Sequence, residues 1–374
     1  MRQSKVLFLY AFLIGSLTIS VQVAYTQEAG TQKKSESQGK EEPKEPEVVD
    51  IEDATKQAQK PLPEVGYTKE EYEEFNKALT IPDPKSRAEG LASFIKAHPN
   101  SKLNEYAFSQ FAPLQRQLYE QKDMVNLATV SEIVLQLKPE DIATLGFATE
   151  ANYANKDYAK AAQYGEAFYK AKPSKELAQL LAFSFEQLKN DPKFVIYAEK
   201  CIAELPPKDS FFYAAKLSFI FANQRNIPKA AAYSQKMMSA YGEGEIPPGY
   251  TTATWNQEKA RSYAIIGRNF YDRKQYAAAV GALSSSLKYF PQNDEAYYYL
   301  GMSYWFASDT YNAQKALAKA ALLNKPYSKT ARTQLENLYK QLHNGSLEGI
   351  DAVLRAASCR GNRAIKSPRY RIPC

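Results

Sequence analysis

Residues 263–291 read YAIIGRNFYDRKQYAAAVGALSSSLKYFP, and residues 297–326 read YYYLGMSYWFASDTYNAQKALAKAALLNKP. Offset by 34 residues, the two stretches coincide at Tyr263 and Tyr297, Ile266 and Leu300, Gly267 and Gly301, Phe270 and Tyr304, Ala279 and Ala313, and Leu283 and Leu317. The same interval of 34 separates Pro139, Pro173 and Pro207. A fixed period of this length, carried on helical patterning, marks stacked helix-turn-helix units, each of which buries its apolar face only against its neighbours. The expected fold class is therefore all-α.

Earlier copies keep the phase with fewer of these residues. Leu145, Tyr158, Ala161, Phe168 and Pro173 form one copy, another ends at Pro207, and the segment from Lys208 to Gly242 retains Ala230. Two further units end at Pro99 and Pro139, which are 40 residues apart, so an insertion is expected there. Ala230 and Ala279 are 49 apart, and the surplus falls on the Gly, Pro and Thr-rich stretch from Glu243 to Trp255, read as a loop. The total is about seven units over residues 67–326.

Each recurring residue has a packing reason. Glycine inside a helix costs about 1 kcal/mol relative to alanine, so Gly267 and Gly301 imply a close backbone approach. Ala279 and Ala313 belong where the second helix of a pair crosses the first, and a larger side chain there overpacks. Pro173, Pro207 and Pro291 are expected to stop helices, because the ring removes a donor and restricts the preceding residue.

The pattern of an aromatic, Leu-Gly, an aromatic, Ala, an apolar residue and Pro, as in Tyr297, Leu300, Gly301, Tyr304, Ala313, Leu317 and Pro326, resembles the tetratricopeptide repeat. That resemblance implies a right-handed α-solenoid of helix pairs whose first helices line a concave groove that binds peptides or partner domains. Carried over by position, the groove residues are Tyr298, Met302, Trp305 and Phe306 in the last copy, Arg261, Arg268 and Tyr271 in the one before, and Phe219 further upstream. Aromatics with Arg and Met are what contact surfaces tend to contain. The Lys and Asn carboxylate clamp of chaperone-binding members is not reproduced.

The flanks read differently. Arg2 and Lys5 precede an apolar run from Val6 to Ile14, so residues 1–26 are expected to be a cleaved export signal, with a retained anchor as the alternative. Residues 27–66 hold ten acidic residues against six Lys and almost no aromatic, the composition of a disordered spacer. Residues 327–358 read as a C-terminal capping helix pair, with Ser328 as N-cap of the first and Leu347, Ile350 and Leu354 at helical spacing in the second. The tail, 359–374, carries Arg360, Arg363, Lys366, Arg369 and Arg371, no acid, and Cys359 and Cys374, which could pair after export. Cys201 reads as a buried small hydrophobe.

The net charge of +7 resides largely in this tail and the leader, leaving little for the solenoid, so no nucleic-acid partner is expected. The N-terminus or the basic tail could contact a membrane. Only His98 and His343 are present, and no phosphate loop, nucleophile elbow or zinc-protease motif occurs, so neither catalysis, metal nor cofactor is expected. The leading expectation is an exported, non-catalytic scaffold for a protein or peptide in a bacterial envelope. The alternative is a module of the cell wall that stacks glycans on some of its 27 tyrosines.

Overall fold

The computed structural model describes residues 66–359, apart from the side chain of Cys359. The segment expected to be an export leader, nearly all of the expected spacer and the basic tail from Arg360, including Cys374, lie outside these residues. The described residues contain helices and no strand, and they divide into two compact units, 66–188 and 189–359.

The first unit holds α1 (Lys69–Leu79), α2 (Pro84–Ala97), α3 (Leu103–Glu120), α4 (Met124–Leu137), α5 (Ile142–Ala154), α6 (Tyr158–Ala171) and α7 (Lys175–Gln187). The second holds α8 (Asp191–Glu204), α9 (Pro207–Asn223), α10 (Ile227–Ser239), α11 (Thr252–Asp272), α12 (Tyr276–Tyr289), α13 (Asp294–Phe306), α14 (Thr310–Leu322), α15 (Ser328–Leu342) and α16 (Ile350–Cys359). In the first unit every helix packs on its successor, and α1 meets α3, α2 meets α4 and α3 meets α5. In the second, successive helices pack from α8 to α15, α11 meets α13, α13 meets α15, and α16 lies chiefly on α14. Alternate helices thus adjoin along α1, α3 and α5 in the first unit and along α11, α13 and α15 in the second, as the resemblance implied for the first helix of each pair.

Within a pair the turn is short and its chemistry repeats. Lys122, Lys156, Lys189, Arg225, Lys274 and Ser308 all have φ between 54° and 65°, and each follows the end of the first helix of a pair. At Lys156 the chain closes a Schellman motif, with Lys156 N–H donating to Tyr153 O at 3.0 Å and Asp157 N–H to Asn152 O at 2.9 Å. The next residue then caps the second helix: the side chain of Asp157 accepts from Lys160 N, and those of Asp123, Asn190, Asn226 and Asp309 act alike.

What brings the two helices together is a contact between residues sixteen apart. A Cβ on Gly267 would stand 2.5 Å from Leu283 Cγ and 3.2 Å from Leu283 N, and one on Gly301 would stand 2.7 Å from Leu317 Cγ and 3.0 Å from Leu317 N. Leu283 and Leu317 are fully buried. The weaker copies solve the same crossing with other sizes. Ser218 and Ser234 place their hydroxyls 2.7 Å apart, Gln115 Nε2 donates to Ser131 Oγ at 3.1 Å, and Thr149 faces Gly165, where a Cβ would meet its Cγ2 at 3.1 Å. When the first helix carries a larger residue, the second carries a smaller one. Ala161, Ala230, Ala279 and Ala313, all 0% exposed, occupy the neighbouring position on the second helix.

Several sequence expectations need correction. Pro207 does not end a helix; it is the first residue of α9, where its missing N–H leaves no bond unmade. Pro139, Pro173 and Pro291 each follow a C-cap directly, at Lys138, Lys172 and Phe290. The loop ends before Trp255, which lies in α11, is 4% exposed, and joins Phe211, Met237 and Tyr250 in one cluster. Part of the surplus in the 49-residue interval is extra helix, since α11 has 21 residues against 13 in α13. The 40-residue interval likewise reflects α3, which has 18 residues. Ser328 is not an N-cap: its hydroxyl accepts from Lys325 N at 2.9 Å and donates to Ala320 O at 2.8 Å, pinning the start of α15 to the end of α14. His98 is the C-cap of α2, and its Nε2 is 2.7 Å from Glu74 Oε2 on α1.

The repeated left-handed turn gives a stability prediction. Lys156, exposed at φ 63°, holds a conformation that costs an L-residue about 1–2 kcal/mol, part of which glycine gives back as unfolded-chain entropy. Lys156→Gly is therefore expected to raise stability by about 0.5–1 kcal/mol in urea unfolding. Ala167→Gly, inside α6 and exposed, should lower it by about 1 kcal/mol. Equal losses in both variants would contradict the assignment.

Candidate functional site

The residues expected to bind a partner lie in the second unit, on α9, α11 and α13, and the structure divides them into two groups. On α11, Arg261 and Arg268 are seven residues apart, two turns along one side. The Arg261 guanidinium lies over the ring of Phe219, 5.2 Å from its centroid, and pairs with Glu258 one turn earlier. Phe219 is 45% exposed.

Arg268 anchors the second and larger group. Its guanidinium lies over Tyr299, 5.2 Å from the centroid, and Nη1 donates to Glu295 Oε1 at 3.3 Å. Nε is 3.9 Å from Asp272 Oδ2, too far for a hydrogen bond, and is buried with no hydrogen-bond partner. Burial opposes the charge of Arg268, but Tyr299, Tyr327, Glu295 and Asp272 outweigh it, so its pKa is raised.

From Tyr299 the rings continue as a band over α11 and α13, joined by the first residue of α12 and the residue before α15. Tyr271 lies 5.2 Å from Tyr299 and 6.1 Å from Phe306. Phe306 stacks on Tyr276 at 5.2 Å and 19°, and Trp305 stacks on Phe306 at 6.4 Å and 16°. In the other direction Tyr298 meets Tyr327 at 5.3 Å, Tyr327 meets Tyr299 at 5.9 Å, and the Tyr327 hydroxyl donates to Glu295 Oε1 at 3.3 Å. Burial, then the neighbouring tyrosines, push the Tyr271 phenol up to about 12. Burial alone raises that of Tyr298. Raised in this way, the phenols of Tyr271 and Tyr298 stay protonated at physiological pH.

Met302 is a correction. It is 7% exposed and belongs to a core with Leu317, Leu335 and Leu338, because α15 and α14 close over the middle of α13. Its role is packing. Phe306, 52% exposed, is the most open residue of the set, and Tyr298, Trp305, Tyr271, Arg261 and Arg268 are half-buried. The pairing of Cys359 with Cys374 falls outside the described residues. Reasoning from position missed Glu295, Tyr299, Tyr276 and Tyr327. The spacing of Glu295, Tyr299, Met302 and Phe306 marks one helical stripe, and Arg268 calls for an acid across from it, so two of the four left a signal.

The first unit has a titrating group at the corresponding position of its own repeat. Glu150 on α5 follows Thr149 as Arg268 follows Gly267, and it accepts a hydrogen bond from Tyr119 of α3. Burial pushes its carboxyl from the ordinary 4.5 up to about 7, against the lowering effect of the Tyr119 hydroxyl. Among the described residues no cluster of His, Cys, Asp and Glu is arranged to hold a metal ion.

The raised Glu150 pKa sets a direction for stability. Between pH 4.5 and about 7 the folded chain keeps a proton that the unfolded chain has released, so stability falls as pH climbs through that window. The penalty is complete above about pH 7. Glu150→Gln is therefore expected to gain about 1–3 kcal/mol in mildly alkaline buffer, gain little in acid, and flatten the profile between. Urea unfolding on both sides of the window checks this; parallel profiles for the two proteins would refute it.

No known family's sequence profile matches this chain, and no curated protein does. Solved structures are similar in their helices. A tetratricopeptide protein, YrrB, described as having an unusual peptide-binding site, is 12% identical, covers 66% of this chain and 98% of its own, and has a TM-score of 0.24. A tetratricopeptide-repeat protein from Bacteroides fragilis is 15% identical, covers 62% of this chain and 98% of its own, and has a TM-score of 0.32. The TPR2AB domain of yeast Sti1, in complex with pHSP90, is 14% identical, covers 77% of this chain and 97% of its own, and has a TM-score of 0.27. What the described residues display is an all-α arrangement of consecutive helix pairs.

Proposed function

We propose that this protein is an exported, non-catalytic scaffold of a bacterial cell envelope that binds a protein or peptide partner on the face shared by α11, α13 and α15. The observation that carries this reading is the band of rings from Trp305 to Tyr327 with Arg268 laid across Tyr299. Large, rigid aromatic side chains beside an arginine give contact area at low entropic cost, the composition of binding hot spots. Packing alone does not require Phe306 to stand half-open at the edge of this band. Export is supported by the leader-like composition of residues 1–26, and the N-terminus or the basic tail would supply a membrane contact. The absence of a nucleophile, base or phosphate-loop motif from the sequence supports a role in binding.

Pull-down from envelope extract tests the face. The wild-type chain is expected to retain a partner that Trp305→Ala with Phe306→Ala loses, while circular dichroism of the variant stays helical. Undiminished capture by a folded variant would place the binding elsewhere.

A further inference from the structure

The turns inside the helix pairs carry a cation where the backbone least favours a side chain. Glycine or asparagine takes positive φ at little cost, yet Lys122 and Lys156 in the first unit, and Arg225 and Lys274 in the second, stand there at φ between 58° and 63°. A cation behind a helix C-terminus meets the negative end of the helix dipole, which accounts for the residue type in both units. The units differ in the residue that follows. In the first, Asp123 and Asp157 cap the second helix and set a carboxylate beside each lysine. In the second, the neutral Asn226 and Gln275 follow, and Gln275 makes no side-chain cap bond. An Asp at that position would cap α12 but cancel a charge. The turn keeps the charge and gives up the cap.

Three such turns adjoin in the second unit, α9–α10, α11–α12 and α13–α14, because α10 packs on α9 and α11, and α12 on α11 and α13. Tyr276, at the start of α12, stacks on Phe306, at the end of α13. Arg225, Arg273 and Lys274 on this edge are exposed, and among the described residues they pair with no carboxylate. The acids here are Asp272, 3.9 Å from Arg268, and Asp309, which caps α14 and accepts from Asn312. Beside the third turn Tyr311 is 66% exposed, the most open large apolar side chain of this unit, with Lys315 Nζ 4.8 Å from its ring centroid. A soluble polyanion would call for the cations alone. Cations on turn tips beside an uncovered tyrosine suit a membrane boundary, where Lys and Arg reach headgroup phosphates and tyrosine rings settle at headgroup level. The wider field agrees: residues 189–359 hold 21 basic and 14 acidic side chains, against 14 and 17 in residues 66–188.

Going beyond the partner face, we infer that the edge of the second unit formed by these three turns docks on an anionic lipid surface, with Arg225, Arg273, Lys274 and Lys315 against headgroup phosphates and the Tyr311 ring at the boundary of the acyl region. Partition of the full chain onto vesicles of phosphatidylcholine and phosphatidylglycerol, read by co-sedimentation, tests it. Arg225→Asn, Arg273→Gln and Lys274→Asn together remove three charges and keep the turns, since Asn tolerates positive φ. This variant is expected to bind at least about tenfold more weakly. A matched variant, Lys236→Gln, Lys288→Gln and Lys319→Gln, loses as many charges from the last turns of α10, α12 and α14, at the opposite edge, and should stay within about twofold of the wild type. Tyr311→Ser, with every charge kept, should also weaken binding. Leader and tail are present throughout, so differences report the edge, and circular dichroism checks that each variant is helical. Equal losses in the two triple variants would reduce the effect to net charge and overturn the inference. Unchanged binding in the turn variant or in Tyr311→Ser would overturn it as well.

Discussion

Two short helices joined by a three-residue turn come into register only if their side chains leave room at one point, the crossing of residues sixteen apart. Gly267 with Leu283 and Gly301 with Leu317 leave that room by removing a side chain from the first helix. Thr149 with Gly165 removes it from the second, and Ser218 with Ser234 shares the space between two small hydroxyls. Side-chain interiors are close-packed, so the combined size at the crossing is held while either partner varies. The alanines one turn before the second residue of each pair, buried completely, keep the approach open on its other side.

That contact uses only one side of each first helix. The Schellman turn and Asp or Asn cap fix the reversal, and successive pairs then bring α11, α13 and α15 side by side. The outward stripe of these helices is free of the crossing. In the second unit it carries Arg268, Glu295 and a run of rings, and in the first the corresponding position holds Glu150, a carboxyl that titrates near neutrality. Local chemistry on this stripe changes from repeat to repeat while the crossing stays constant. The division between what holds the array and what it presents follows from helix geometry.

Much of this was legible in the sequence because steric need acts at fixed spacing. Gly267, Gly301, Ala279 and Ala313 read correctly, since each answers to a neighbour a set number of residues away. The weaker copies were harder, because Gln115, Thr149 and Ser218 do not look like glycine until their partners are seen. The lysine and arginine turns were missed for a similar reason: a residue with a side chain at positive φ gives no compositional signal, and only the Asp or Asn after it does. Pro207 and Trp255 misled because proline both ends and begins helices, and because a polar loop hid the first turn of α11. At the site, position along the helix led to Tyr298, Trp305 and Phe306, which lie in the band of rings. It could not show that α15 buries Met302, since burial there depends on a neighbour in space.

The direct test of the size exchange at the crossing is a double-mutant cycle at Gly301 and Leu317, read by urea unfolding. Gly301→Ser alone should cost about 1–3 kcal/mol by overpacking, and Leu317→Ser alone about 2–5 kcal/mol by opening a cavity. Together they recreate the Ser218 and Ser234 arrangement, and the pair is expected to cost at least about 1 kcal/mol less than the sum of the two. Additivity within about 0.5 kcal/mol would contradict the account.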